Sequence, residues 1–320
     1  MNSLANNPDE LSRRRFLASA GILTAGIILS PWEVLAQGGS PVTTIIAEAA
    51  KSPITIQKLK TGFNVLEGSG GNILVFNGPE GKMMVDAGID VSKAKIKQAL
   101  ASISPKHVEH LISTHWHFDH ASGNNWVHET GANIISQAIT KKHLSQSVRV
   151  VDWNYTFPPA PAGALPTTLF EKDYAMNMNG ETLRLQHYGP AHTDCDIFVH
   201  FENADVIHVA DTFWNGYYPF IDYSTGGSIK GMLKAAIANV NRVSASTIVV
   251  PGHGPVGNKA QLIEFRDMLA AITHNVETLK KQGKSLAETV AAKPTKAFDA
   301  KWNNFVIKSD LFTYLVYRGV

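Results

Sequence analysis

Residues 54–59 alternate apolar and polar positions, the period of a half-buried strand. Two short apolar runs, 73–76 and 82–85, flank Asn77-Gly78-Pro79-Glu80-Gly81, which predicts a hairpin. The spacing over 92–103 predicts a helix with Ser92 as its N-cap. Residues 108–112 read as a buried strand, 124–129 as the start of a second helix, 134–135 as a strand and 138–148 as a third helix. The stretch 152–168 has little periodicity and carries Trp153, Tyr155, Phe157 and four prolines, so it is expected to be a surface loop that either covers a site or simply packs on the surface. Strand signals return over 182–187, 197–201 and 206–210. An aromatic loop over 212–225, a helix from about 228 to 240, a strand over 247–250, a helix over 261–280 and a helical tail follow. Strands lead, strands and helices then alternate, and the order repeats. That order predicts an α/β chain with two sheets packed face to face and helices outside.

Composition narrows the choice of partners. Of 320 residues, Lys and Arg number 29 and Asp and Glu 27, a net charge of +2. No polybasic run interrupts the body, so nucleic acid is not expected as a partner. The single cysteine, Cys195, excludes an intramolecular disulfide.

The N-terminus reads as a targeting segment. Ser12-Arg13-Arg14-Arg15-Phe16-Leu17 precedes an apolar stretch, 18–29, and then Val34-Leu35-Ala36, which is the layout of a secretory signal. The apolar stretch is too short and too rich in Gly and Ala to span a bilayer, so no stable membrane span is expected in the mature chain. The paired arginines resemble a twin-arginine (Tat) signal. The expected organisation is a signal over 1–36, a linker over 37–53, and one domain over 54–320 with a helical C-terminal tail. The expected partner in export is the Tat machinery, and the expected location is periplasmic or secreted.

Candidate chemistry concentrates at His115-Trp116-His117-Phe118-Asp119-His120, delivered by the strand 108–112. Neutral imidazole and carboxylate are the usual ligands of a zinc ion that does chemistry. His115 and His117 are two apart, whereas Asp119 and His120 are adjacent and point differently, so one loop serves two neighbouring metals. Trp116 and Phe118 then point away as packing anchors. One loop cannot complete two coordination shells, and the missing ligands are sought at later strand ends. His192 in Gly189-Pro190-Ala191-His192-Thr193, Asp211 after 206–210, and His253 in Pro251-Gly252-His253-Gly254 fit that description. The other eight histidines lack such context, and Cys195 reads as an inert small residue.

In that order these motifs resemble the metallo-β-lactamase-fold superfamily over about residues 55–275. The resemblance implies a four-layer αββα sandwich with a dinuclear site at one sheet edge. It implies His115, His117 and His192 on a first metal, Asp119, His120 and His253 on a second, and Asp211 between them. Two Zn2+ ions are expected, with iron as the alternative. The expected reaction is attack of a metal-bridged hydroxide on the acyl carbon of a lactam, lactone, ester or thioester, with Asp119 as the catalytic group that orients it. The best-known β-lactamase subclasses carry Cys or Ser where Asp211 stands, so the chain resembles the glyoxalase II-like and lactonase branches more. Two other readings remain open: an iron-dependent oxidoreductase similar to persulfide dioxygenases, and an accessory periplasmic metal protein without turnover. The glycine-rich 62–71 stretch is expected to be a mobile flap. Trp214, Tyr217 and Tyr218 are expected to line the pocket of a small-molecule substrate that is apolar or ring-bearing.

Overall fold

The computed structural model describes residues 40–320. The expected signal segment, 1–36, lies outside the described residues. The stretch read as a linker, 37–53, contains a helix instead, α1 (Pro41–Lys51). Its sequence, rich in β-branched residues, hides the helical period. What forms it is a cap and a docking site. Ser40 Oγ accepts from Val42 N (3.2 Å) and donates to Trp153 O (2.7 Å), while Val42 and Ala49 are buried.

Two sheets follow. The first contains β1 (Thr55–Lys60), β2 (Phe63–Glu67), β3 (Ile73–Gly78), β4 (Gly81–Val85), β5 (Val108–Ile112), β6 (Asn133–Gln137) and β9 (Thr168–Phe170), in the order β1-β2-β3-β4-β5-β6-β9. Strands β1 to β4 pair antiparallel, and β4, β5, β6 and β9 pair parallel. The predicted hairpin is β3–β4, closed across Gly78 and Gly81. A separate two-stranded ribbon, β7 (Val148–Val150) with β8 (Tyr155–Phe157), interrupts the run. The second sheet holds β10 (Asp173–Met178), β11 (Glu181–His187), β12 (Ile197–Phe201), β13 (Val206–Trp214) and β14 (Ile248–His253), antiparallel except for the parallel β13–β14 pair.

Helices cover both outer faces. On the first sheet lie α2 (Lys93–Ile103) and α4 (Asn124–His128), burying Ile96, Leu100, Trp126 and Val127 against Val75, Met84, Leu111 and Ile134. Between them in sequence comes the short α3 (Phe118–Ala121). After β6 runs α5 (Ala138–Leu144). On the second sheet lie α6 (Ile229–Arg242), α7 (Lys259–Lys281), α8 (Leu286–Ala291), α9 (Asp299–Trp302) and α10 (Ser309–Gly319), whose apolar faces share a core with Ile207, Val209 and Val249. The sheets meet over Phe63, Leu74, Met83, Ile112, Leu185, Val199, Phe201 and Val250, all buried. Each such side chain contributes about 1.5–3 kcal/mol. The four layers are helix, sheet, sheet, helix, as the strand–helix order and the resemblance implied.

Two helix readings change in detail. Ser92 sits at the N-cap of α2 but makes no capping bond, because its hydroxyl donates to Ala49 O (3.2 Å) and anchors α1. The helix expected over 138–148 stops at Leu144, since Val148 is taken into the β7–β8 ribbon.

At one edge the sheets are tied together. Asn72 donates its backbone N–H to Gly252 O (2.8 Å) and its side-chain amide to Pro251 O (3.0 Å) and Gly254 O (2.8 Å). Ile197 N donates to Thr114 O (3.1 Å) across the same sheets. The C-terminal ends of β4, β5 and β14 open onto this edge. No described helix is long and apolar enough to cross a membrane.

Candidate metal centre

Each loop at this edge is shaped by local bonds. Past β4 the chain turns through Asp86, whose φ of 65° is unfavourable for a side chain with a Cβ. Asp86 is retained there by what its carboxylate holds. It accepts from Thr114 N (2.8 Å) and Thr114 Oγ1 (2.8 Å), and it pairs with His120 Nδ1 at 2.7 Å. Past β5 the turn carries His115 and His117, and α3 then presents Asp119 and His120. Trp116 and Phe118 are buried and face away, within 5.4 Å and 5.5 Å of the Phe157 ring. Gly70 lies against this turn, where an added Cβ would stand 2.5 Å from Asp119 Cβ.

The second sheet supplies the remainder. His192 follows β11 and is oriented by Phe220 O, 2.8 Å from its Nδ1. Ala210, at φ 46°, twists β13 so that Asp211 enters the cluster. His253 ends β14, next to Gly252. A Cβ on Gly252 would fall 1.9 Å from Asp211 Oδ1, so the two strands approach this closely only with glycine there.

All seven residues expected to bind metal converge and are buried. His115, His117, His192 and Asp211 form one group and Asp119, His120 and His253 another, with potential ligand atoms in each within 4.8 Å of one another. His192 Nε2 lies 2.8 Å from His117 Nδ1 and 3.3 Å from Asp211 Oδ2. His253 Nε2 lies 3.4 Å from both Asp119 Oδ2 and Asp211 Oδ2. Asp211 Oδ1 is 3.1 Å from His120 Nε2, and Asp211 Oδ2 is 4.0 Å from His115 Nε2. Asp211 thus touches both groups. His117 turns Nδ1 inward because its Nε2 pairs with Asp222 at 3.0 Å; His115, His120 and His192 turn Nε2 inward.

The donor set fits metal ions. His115 Nε2 is buried without a hydrogen-bond partner, and His120 Nε2 and Asp211 Oδ1 face only each other, at 3.1 Å, although such atoms are costly to bury unmatched. Ligands about 2.0–2.2 Å from a tetrahedral zinc stand roughly 3.3–3.6 Å apart, close to most of the separations seen here. Charge agrees too. Asp119, Asp211, Asp86 and Asp222 would place four negative charges among imidazoles, which two divalent ions balance.

Burial depresses the His115 pKa well below the ordinary value, and neighbouring imidazoles reinforce this. Burial likewise lowers that of His117 despite its bond to Asp222. At His120 burial acts downward, but Asp211, Asp119 and Asp86 outweigh it and the net shift is well upward. Burial would raise Asp211, yet His253, His120 and His192 hold it well below the carboxylate range. His115 and His117 are therefore neutral at pH 7, the form that ligates.

The expected pocket wall is only partly present. Trp214 has its ring 4.2 Å from that of His253, and half-buried Tyr217 stacks on Phe305 at 4.7 Å. Tyr218 does not line the site. It is fully buried, stacks on Phe312 at 4.8 Å and donates to Asp299 Oδ1 (2.9 Å), because the chain reverses at Gly216 and turns it toward the C-terminal helices. The 152–168 stretch does reach the centre, with Trp153 5.1 Å from the His117 ring and stacked on Phe220 at 4.6 Å. Cys195 is buried beside Thr193 Oγ1 (3.3 Å), and burial pushes its thiol pKa up, away from the thiolate a ligand needs. Asp196 accepts from Thr193 N (2.8 Å) and Thr193 Oγ1 (2.6 Å), a turn interaction. His143 pairs with Asp194 at 2.8 Å, outside the cluster.

Sequence reasoning did not single out Asp86, Asp222 or Phe305. Asp86 left a faint signal, a carboxylate directly after a strand and before Ala87-Gly88. Asp222 and Phe305 left none.

Comparison with known proteins agrees with this geometry. The family model described as "Metallo-beta-lactamase superfamily" matches residues 66–256. A "Metallo-beta-lactamase type 2" of Bacillus cereus is 27% identical over 214 residues, covering 62% of this chain and 72% of that protein. Its counterpart in Bacillus sp. (strain 170) is 29% identical over the same length. Among solved structures, a metallo-beta-lactamase from Pontibacter korlensis superposes with a TM-score of 0.55 at 17% identity, over 68% of this chain and 99% of its own. The stereoselective inverting sec-alkylsulfatase Pisa1 from Pseudomonas sp. superposes with a TM-score of 0.65 at 15% identity, over 90% of this chain. The chain spans only 54% of the length of that sulfatase.

Proposed function

The chain belongs to the metallo-β-lactamase superfamily, and from that premise we propose that it is an exported dinuclear zinc hydrolase of acyl compounds: lactam, lactone, ester or thioester. The observation that carries the reading is the position of Asp211. Its carboxylate lies 3.3 Å from His192 Nε2 in one group, and 3.1 Å and 3.4 Å from His120 and His253 in the other. A carboxylate so placed is suited to bridging two ions. His115, His117 and His192 would hold one, Asp119, His120 and His253 the other. Metal ions held there would supply Lewis-acid chemistry, lowering the pKa of a bound water toward about 7 and polarising the target carbonyl.

The chain's own groups do the rest. Asp119 is the most open carboxylate of the set, with a side chain 10% exposed, and its Oδ2 faces His253. It orients the attacking water and receives its proton, then returns a proton to the leaving group. Asp86 and Asp222 fix the ring orientation of His120 and His117. Trp214 and Trp153 exclude bulk water from two sides of the centre. No serine or cysteine nucleophile is required, and Cys195 is buried in the protonated state.

The twin-arginine segment supports export, which would expose the enzyme to compounds from outside the cell. Replacing Arg13 and Arg14 by lysine should retain the protein in the cytoplasm; unimpaired export would overturn that part. For the reaction, zinc-loaded protein should hydrolyse at least one of nitrocefin, an aryl ester, a lactone and a thioester, and D119A should not. Absence of turnover on the whole panel would sink the hydrolase reading.

A further inference from the structure

The open side of the centre is aromatic, and the residue that completes it comes from outside the family-matched stretch. His115, His120 and His192 have no exposed side-chain surface, whereas Asp119 and His253 retain 10% and 6%. Approach therefore runs over Asp119 and His253. Beside His253 stand Trp214, with ring centres 4.2 Å apart, and Phe305, at 5.8 Å. Phe305 meets the Trp214 ring edge-on at 5.9 Å and stacks on Tyr217. It is half-buried in the connection between α9 and α10, well past residue 256 where the family match ends.

Four lysines of α6 and the C-terminal tail have other surroundings. Lys230 and Lys234 are exposed on α6, whose buried face carries Ile229, Met232, Ala235 and Ala236. Lys230 lies in the field of Glu277 on α7. In the tail itself, Lys301 pairs with Glu264 at 2.5 Å, and Lys308 donates to Asn303 O at 3.3 Å.

We infer that Phe305 is a specificity-determining residue: with Trp214 it packs against a neutral aryl or alkyl group on the non-reacting part of the substrate. The inference rests on the acyl-hydrolase reading for its reaction but not for its binding face. An apolar ring gains from burial against aromatic walls, and a carboxylate brought against those rings loses hydration that an aromatic face does not restore.

The test uses the full mature chain and two readouts. Zinc-loaded protein is assayed on p-nitrophenyl phenylacetate, acetate and hydrogen succinate. Metal-free protein is titrated with phenylacetamide and with succinamate by tryptophan fluorescence. Wild type should favour phenylacetate over hydrogen succinate at least tenfold in kcat/KM. F305A should cut the phenylacetate-to-acetate ratio about tenfold, mainly through KM, and weaken phenylacetamide binding similarly. F305K should shift preference toward hydrogen succinate. If no ester turns over but phenylacetamide binds selectively and F305A weakens it, the binding face stands and the hydrolase reading falls. If esters turn over but hydrogen succinate is preferred, or F305A affects all three alike, the inference is overturned and the reading stands. Equal or absent binding of both amides also overturns it.

Discussion

Asp86 Oδ2 lies 2.7 Å from His120 Nδ1, and the same carboxylate holds Thr114, one residue before the first histidine of the cluster. One side chain thus sets both the ring orientation of His120 and the start of the turn bearing His115 and His117. Neutralising it as D86N should weaken metal binding about 10–100-fold, the usual effect of removing a ligand's orienting partner. Competition against a chromophoric chelator measures this. Unchanged affinity would mean that Asp86 only shapes the turn.

Gly252 and Asp211 give a second expectation. The nearest atom to a Cβ at position 252 is the carboxylate itself. G252A should therefore displace Asp211 and drive metal content well below that of wild type. Overpacking of this kind also costs about 1–3 kcal/mol. Elemental analysis together with urea unfolding separates the two effects; full metal content in G252A would refute the tight approach of β13 and β14.

The metal-free protein should show a stability maximum near neutral pH. His115 and His117 have folded pKa values below the unfolded value of about 6.5. Their folded forms bind fewer protons, so stability is lost as pH falls from 6.5 toward those values. His120 is raised, so its contribution is complete below about 6.5 and is lost as pH rises through the folded value. Metal must displace the His120 proton, so affinity should rise with pH above 6.5 until that group is neutral. Urea midpoints from pH 5 to 9 and chelator competition over the same range check both slopes.

Ser40 joins α1 to the loop that carries Trp153. S40A removes the cap and the link together, at about 1 kcal/mol. In a chain of this size that lowers Tm by roughly 2–4 °C. A Tm equal to wild type would show that α1 contributes nothing to the stability of that wall.

The metal cluster was legible in the sequence because its signals are local. Ligand types crowd within six positions of one turn, and His192 and His253 follow or end strands in segments that carry glycine and proline, whereas Asp211 lies within β13 between Ala210 and Thr212. The face-to-face sheets were legible from alternation and apolar runs. What escaped depends on distant packing. Asp86 and Asp222 are single carboxylates whose meaning appears only when β4 and the loop after β13 reach His120 and His117. Tyr218 looked like its neighbour Tyr217 until the reversal at Gly216 sent it into the core. Phe305 is separated from His253 by three helices, so nothing local marks it. Helix α1 was hidden by Thr43, Thr44, Ile45 and Ile46, poor helix formers that a cap and a docking surface override.

The central claim is that two groups of side chains sharing Asp211 hold two ions. Elemental analysis of protein purified without added metal, in wild type and in D211A, tests it most directly. The account predicts close to two zinc ions per chain in wild type and a large loss from both positions in D211A. A single iron per chain, or two zincs retained in D211A, would contradict it.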